Sequence, residues 1–165
     1  MSRPRVTLFL AWMSLSLFAD DNILLPWKVR KCIEDHRVAS LIVVDTLTNP
    51  YYLRGDFNGD GIQDYAVAVK GQKTRRNGIL VCLARRGPFL IGADRVTTPP
   101  FSDMPEDNFV APFWEVATRS EVLGFQKNNR VVPLPKGEVI KMIWEDGIHY
   151  IYWDGTRFRW SPLVQ

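Results

Sequence analysis

The hydrophobic pattern predicts one helix near the start of the chain. Between residues 22 and 37, apolar and ring side chains recur at spacings of three and four, and Pro26 stands where the first turn of a helix tolerates proline. Charged residues fill the opposite side of this predicted helix. The recurring positions are Leu25, Val29, Cys32, Ile33 and His36.

Beyond residue 40 the pattern changes to short strands bounded by Gly, Pro, Asn or Asp. Residues 64–84 are typical of a hairpin, and residues 139–160 of a three-stranded meander with Asp-Gly turns. Two stretches, 114–119 and 122–125, fit short strands or turns. Residues 97–113 are rich in Pro, Asp and Asn, which predicts a long loop. We therefore expect an α+β fold in which the N-terminal helix packs on one mainly antiparallel sheet of about seven strands.

The first 19 residues have the features of a secretory signal peptide. Arg3 and Arg5 precede an apolar run, and Ala19 is a small residue in front of two acids. The run has about 13 residues, fewer than the roughly 20 that span a bilayer, so an uncleaved anchor is the less favoured alternative. The sequence predicts a signal peptide over 1–19, a single domain over 20–165, and a periplasmic or secreted protein with no stable membrane insertion after cleavage.

Composition and charge narrow the class of partner. The chain has 165 residues, of which 46% are hydrophobic and 24% charged, which is typical of one globular domain. Without Arg3 and Arg5 the 21 basic residues become 19 against 18 acidic residues, so the net charge falls from +3 to +1. Because the remaining arginines are scattered rather than gathered in a stripe, we expect no nucleic-acid partner.

Cys32 and Cys82 are the only cysteines of the chain. An oxidising compartment permits a disulfide between them, which would close a loop of about 50 residues and contribute about 3–4 kcal/mol in the chain-entropy model. The alternative is two buried free thiols, because both residues stand among apolar neighbours. No second Cys or His lies at ligand spacing, so the two cysteines alone predict no metal site.

The strongest chemical pattern lies at residues 56–64, which read DFNGDGIQD. Side chains that carry oxygen occupy alternate positions at its start, and Gly61 permits a sharp turn after the third of them. Calcium takes six to eight oxygen ligands, and alternate side chains of one tight loop can converge on such an ion. The predicted ligands are Asp56, Asn58, Asp60, the backbone carbonyl of Ile62, and Asp64.

The flanks of this loop are predicted strands, and Val67 stands where an EF-hand needs its last glutamate, so the pattern excludes a full EF-hand. An Asx-rich turn without metal is the alternative interpretation. Residues 53–67 resemble the calcium loops of FG-GAP and VCBS-type repeats, which lie between strands in integrin-like β-propellers. The resemblance implies calcium as the cofactor, with the same five ligands. It covers about 15 residues and occurs once, so the chain cannot form a closed propeller.

The sequence offers weak candidates for catalysis. His36 ends the helical pattern, where the helix dipole favours a histidine. His149 stands in a predicted strand among aromatic residues, where a packed residue is the favoured interpretation and a general base the alternative. Acid pairs at 106–107 and 145–146 could serve hydrolysis, but adjacent acids on loops usually face water. The sequence contains no nucleophile elbow, zinc-protease helix or phosphate-binding loop, and we assign no catalytic residue.

Aromatic residues near the C-terminal end allow two interpretations. Alternation along a strand places Tyr150 and Tyr152 on one face and Trp153 on the other. Such residues form the core of many small domains, which is the favoured interpretation, but they also dominate partner surfaces. The aromatic group comprises Tyr150, Tyr152, Trp153, Phe158 and Trp160.

Taken together, these features predict an exported, calcium-stabilised domain that binds rather than catalyses. Its expected partner is an unknown protein or a surface polymer. One alternative is a hydrolase of a cell-wall or surface polymer that uses His149. The other is an inhibitor that presents the 97–113 loop to the cleft of an exported enzyme.

Overall fold

The computed structural model describes residues 24–35, 38–93, 95–96, 113–125, 134–145 and 147–161. Within these ranges the helices are α1 (Trp27–Asp35), a short 3-10 helix (Val38–Ser40) and α2 (Arg119–Phe125). The strands are β1 (Ile42–Val44), β2 (Tyr52–Gly55), β3 (Asp64–Gly71), β4 (Asn77–Leu83), β5 (Gly87–Gly92), β6 (Arg95–Val96), β7 (Phe113–Ala117), β8 (Val139–Trp144), β9 (Gly147–Trp153) and β10 (Phe158–Ser161).

Helix α1 follows the predicted apolar stripe. The carbonyl of Pro26 accepts the N–H groups of Val29 and Arg30 at 2.9 and 3.1 Å, so the first turn begins directly after the proline. Val29 and Ile33 are buried on one side of the helix, as their spacing predicts. The predicted N-terminal helix is confirmed over Trp27–Asp35, while the ends at 22–23 and 36–37, including His36, lie outside the described residues.

Six strands form the first sheet, in the order β1-β3-β4-β5-β6 with β2 also pairing with β3. Every pairing in it is antiparallel, and the β3–β4 pairing confirms the predicted 64–84 hairpin. In β3 every residue but one is buried, and the same is true of β4, because both faces of these strands are covered. Central strands of this kind carry apolar side chains on both sides rather than a polar alternation.

The other four strands form a second antiparallel sheet in the order β7-β8-β9-β10. Strands β8 to β10 are the predicted meander. The turn between β9 and β10 is closed by Asp154, whose Oδ1 accepts the N–H groups of Thr156 and Arg157 at 2.8 and 2.9 Å. These bonds and the guanidinium of Arg159, which also bonds Asp154, lower the pKa of its carboxyl group although burial opposes the shift.

The elements stack in four layers, namely α1, the first sheet, the second sheet and α2. One cluster of buried side chains joins the two sheets, and a second joins the first sheet to α1. A third, smaller cluster places Val122 of α2 against the outer face of the second sheet. The core therefore lies mainly between the sheets, where Trp114, Met142 and Trp160 meet side chains of β3 and β4.

Two predictions about the fold are wrong. The prediction of one sheet of about seven strands fails because the described residues form two sheets, of six and four strands. Residues 122–125, expected to be a strand or turn, belong to α2. Val122 packs against the second sheet, and this contact favours the helix over an extended segment. The α+β class and the antiparallel pairing are confirmed.

Candidate functional site

The loop between β2 and β3 is organised around the carboxylate of Asp56. Its Oδ1 accepts the N–H groups of Gly59 and Asp60 at 2.8 and 3.0 Å, and its Oδ2 accepts the N–H of Gly61 at 2.8 Å. Gly59 and Gly61 have φ values of +74° and +77°, in the region that glycine adopts without steric cost. The side chain of Asp56 thus caps the loop by the same hydrogen bonding that Asx turns use.

Asn58 and Asp60 continue this pattern inside the loop. The Oδ1 of Asn58 accepts the N–H of Asp60 at 3.0 Å, and the Oδ1 of Asp60 accepts the N–H of Ile62 at 2.9 Å. The amide of Asn58 also donates to Oδ2 of Asp60 at 3.2 Å. The three predicted ligands at the start of the loop are therefore brought together, and each bonds the loop's own backbone.

Asp64, the fourth predicted side-chain ligand, is buried. It is 0% exposed, and its two oxygens accept the N–H of Phe57 at 3.1 Å and the N–H of Ala84 at 2.8 Å. Burial raises the pKa of its carboxyl group to about 6, and the negative charges of Asp60 and Asp56 add to the shift. Asp64 acts as an internal acceptor that ties the loop to the end of β4.

The prediction of a metal-binding group is wrong for the part of the chain that the structure describes. Among the residues that the structure describes, no three His, Cys, Asp or Glu side chains are grouped so that they could hold a metal ion. The five predicted ligands stay a prediction, and in this structure the two oxygens of Asp64 accept the backbone N–H groups of Phe57 and Ala84. Calcium as a cofactor, and the likeness to FG-GAP loops, stay expectations of the sequence.

The loop has a second role, because it joins the two sheets. Glu138, just before β8, accepts the N–H of Asp56 through Oε2 at 2.7 Å, and its own N–H donates to the carbonyl of Asp56 at 2.7 Å. A Cβ atom on Gly59 would collide with the backbone carbonyl of Lys136, and one on Gly137 with that of Asp56. Glycine at both positions therefore permits two backbone segments to touch.

His149, the candidate general base, is a core residue. It is 8% exposed, and its ring lies 4.6 Å from the ring of Trp144 and 4.8 Å from that of Trp160. Its position between two indoles, on the face that meets the first sheet, gives a packing reason for the residue. Of the acid pairs, residues 106–107 and 146 lie outside the described residues, and Glu145 is exposed in a turn.

The aromatic group near the C-terminal end is buried on both faces of the second sheet. Tyr150 and Tyr152 face α2, whereas Trp153, Phe158 and Trp160 face the first sheet. All five are at most 7% exposed. The interpretation of this group as core is confirmed, and it offers no surface to a partner.

The two cysteines form a disulfide, which settles the alternatives left by the sequence. Cys32 of α1 and Cys82 of β4 are bonded, with their Cα atoms 6.2 Å apart. The bond fastens α1 to the centre of the first sheet and fits a protein that is exported to an oxidising compartment. In the described part of the chain no helix has the length and apolar character required to cross a membrane. The predicted leader over 1–19 lies outside it.

A groove runs beside this disulfide, between α1 and the turn from β4 to β5, and sequence reasoning missed it. The groove has a volume of about 380 Å³, in the range of natural ligand sites. The disulfide lies along it, with Trp27, Lys28 and Lys31 on the helix side and Arg85 on the turn side. We refer to this surface as the α1 groove.

The α1 groove combines an aromatic ring with positive charge. Trp27 is 63% exposed although it is a large apolar residue. Lys31 pairs with Asp35 at 2.7 Å, which raises the pKa of Lys31, while Lys28 and Arg85 form no ion pair among the described residues. The sequence contained a signal for this groove, because Trp27 stands off the buried stripe of α1, next to Lys28 and four residues before Lys31.

Comparisons with protein-family models, curated proteins and solved structures return no match to this chain.

Proposed function

We propose that this protein is a non-enzymatic binding protein and that the α1 groove is its ligand-binding surface. The observation that carries the proposal is the exposed ring of Trp27 beside three cationic side chains in one groove. Tryptophan and arginine are the residues that most often supply binding energy at protein surfaces. A ligand that covers this exposed indole removes apolar surface from water, which stabilises the complex.

The framework of the groove supports a binding role. Cys32 and Cys82 join its two sides covalently, so the helix and the strand keep their spacing without a ligand. A site that is formed in advance loses less conformational entropy when it binds. The same disulfide supports placing the protein in the periplasm or outside the cell.

The rival enzymatic hypothesis receives less support from the geometry. His149 is packed between two indole rings and is not among the residues that line the α1 groove. A general base must come within hydrogen-bond reach of its substrate. The proposed inhibitor loop at 97–113 lies outside the described residues except for Phe113, which begins β7.

Binding of anilinonaphthalene sulfonate, an aromatic anion, tests the proposal. We expect saturable fluorescence enhancement with the folded protein and an affinity at least about fivefold lower for Trp27→Ala, since the ring supplies apolar contact area. Leu47→Ala is the matched control, because Leu47 is 87% exposed and lies outside the groove. Equal loss in the two variants, or no saturable binding, would contradict the proposal.

A further inference from the structure

We propose that the α1 groove binds a short acidic peptide segment that carries one large apolar side chain. This inference rests on the proposed function, since it names the chemical class of ligand for the same groove.

The charge of the groove selects an anion. Lys28, Lys31 and Arg85 line it together with one acid, Asp35, which already pairs with Lys31. The remaining two cations lie on opposite sides, Lys28 on the helix and Arg85 on the turn. A ligand between them can offer carboxylates to both, and arginine holds a carboxylate through two parallel hydrogen bonds.

An apolar surface at the start of α1 selects a ligand that also has a hydrophobic side chain. Leu24 is 65% exposed and Trp27 is 63% exposed; Trp27 begins α1, and Leu24 precedes it by three residues. Trp27 lines the groove, whereas Leu24 is not among its lining residues. A free inorganic anion would leave this surface in water, whereas an apolar side chain next to carboxylates would cover it.

The length of the helix sets the size of the ligand. Helix α1 has nine residues, which corresponds to a length of about 13 Å. An extended peptide advances about 3.3 Å per residue, so about four residues lie alongside the helix. A ligand of four to five residues therefore matches the length of α1 along the groove, whose lining residues on the helix run from Trp27 to Asp35.

The test measures the fluorescence anisotropy of a labelled peptide, Glu-Glu-Phe-Glu-Glu, with the full chain and its disulfide intact. We expect saturable binding that weakens as salt is added, because the charges lie at the surface. Arg85→Glu should lower the affinity by about tenfold or more, since it replaces an attractive charge with a repulsive one. Lys73→Glu is the matched control, because it changes the net charge equally on an exposed turn outside the α1 groove.

Three outcomes would overturn the inference. The first is absence of saturable binding, and the second is an equal loss in Arg85→Glu and Lys73→Glu, which would show attraction to net charge alone. The third is displacement of the peptide by free glutamate or inorganic phosphate at the same molar concentration, which would identify a small anion as the ligand.

Two control peptides complete the design. Gln-Gln-Phe-Gln-Gln lacks the charges and Glu-Glu-Ser-Glu-Glu lacks the apolar side chain, so each should bind about tenfold more weakly or worse. If the uncharged peptide binds as tightly as Glu-Glu-Phe-Glu-Glu, the groove does not select acidic residues. If the serine peptide does, the groove does not select an apolar side chain. If anilinonaphthalene sulfonate still binds through Trp27 while the acidic peptide does not, the inference fails and the proposed function stands.

Discussion

Glu138 and Asp56 are joined by a reciprocal pair of hydrogen bonds across the two sheets. The carboxylate of Glu138 accepts the N–H of Asp56 at 2.7 Å, and the carbonyl of Asp56 accepts the N–H of Glu138 at 2.7 Å. Asp56 follows β2 in the first sheet, and Glu138 precedes β8 in the second. The pair therefore fixes where the β2–β3 loop lies relative to the second sheet.

Removing the carboxylate of Glu138 should destabilise the protein. We expect Glu138→Ala to lower the free energy of unfolding by about 1–3 kcal/mol, because the partly buried N–H of Asp56 loses its acceptor. Glu138→Gln keeps a carbonyl oxygen at the same place and should cost less than about 1 kcal/mol. Urea unfolding followed by circular dichroism measures both values. An alanine variant as stable as wild type would show that this bond contributes nothing.

The sequence predicted the loop but not its partner. Alternating Asp and Asn with Gly61 are a local signal, and the structure confirms a tight turn at that place. Glu138 is 82 residues away and belongs to no motif, so only the packing of the two sheets brings it to Asp56. The contact of Asp64 with Ala84 was equally hidden from the sequence, since the N–H that it accepts lies 20 residues further along the chain.

The number of sheets illustrates a different limit of the sequence. Alternation within a strand identifies a buried face, but it does not say which other strands cover that face. The continuous apolar run of β4 was a usable signal, because a strand that is buried on both sides needs a layer on each side. For the first sheet those layers are α1 and the second sheet.

The internal hydrogen bonds of the loop lead to a prediction that holds without divalent ions. In the presence of a chelator, Asp56→Ala should lower the free energy of unfolding by about 1–2 kcal/mol, since three backbone N–H groups lose the acceptor that caps them. Asp56→Asn retains one carbonyl oxygen and should lie between alanine and wild type. Thermal unfolding in EDTA gives the comparison.

The contrary result for Asp56 is also informative. If wild type and Asp56→Ala unfold at the same temperature in EDTA and differ only when calcium is added, the order of the loop comes from the ion. The resemblance to FG-GAP loops would then describe this loop better than its hydrogen bonds do.

The buried carboxyl group of Asp64 should make stability depend on pH in an unusual direction. Its pKa is about 6 in the folded protein and has an ordinary value of 3.8, so between these values the folded state binds more protons than the unfolded state. Stability from this group therefore decreases as the pH rises from about 4 to about 6, and the full effect is on the order of 2–3 kcal/mol.

Unfolding experiments on wild type and Asp64→Asn between about pH 4 and pH 7, both in EDTA, test this prediction. Asparagine does not titrate, so the stability of Asp64→Asn should not show this decrease with pH. The loss of one acceptor oxygen lowers its free energy of unfolding by the same amount at every pH. Asp154 has a lowered pKa and loses its stabilisation only below its ordinary value of 3.8, outside this range. Parallel curves for the two proteins would show that Asp64 is not the group responsible.

The disulfide should contribute both to stability and to the α1 groove. It closes a loop of 50 residues between Cys32 and Cys82, for which chain entropy gives about 4 kcal/mol. We expect the free energy of unfolding of the double variant Cys32→Ala, Cys82→Ala to be about 2–5 kcal/mol lower than that of wild type. Reduction of wild type keeps both sulfur atoms, so comparing the reduced protein with the double variant separates the covalent link from packing.

Hydrogen exchange identifies where the loss of the disulfide acts. The amides of α1 should exchange faster after reduction, since the helix is then held only by the packing of side chains such as Val29 and Ile33. The amides of β3 and β4 should keep their protection, because both strands are buried within the first sheet. Anilinonaphthalene sulfonate should bind the reduced protein more weakly, since the helix side of the groove is no longer fixed. Uniform exchange across α1 and β4 would instead mean that the disulfide stabilises the whole fold as one unit.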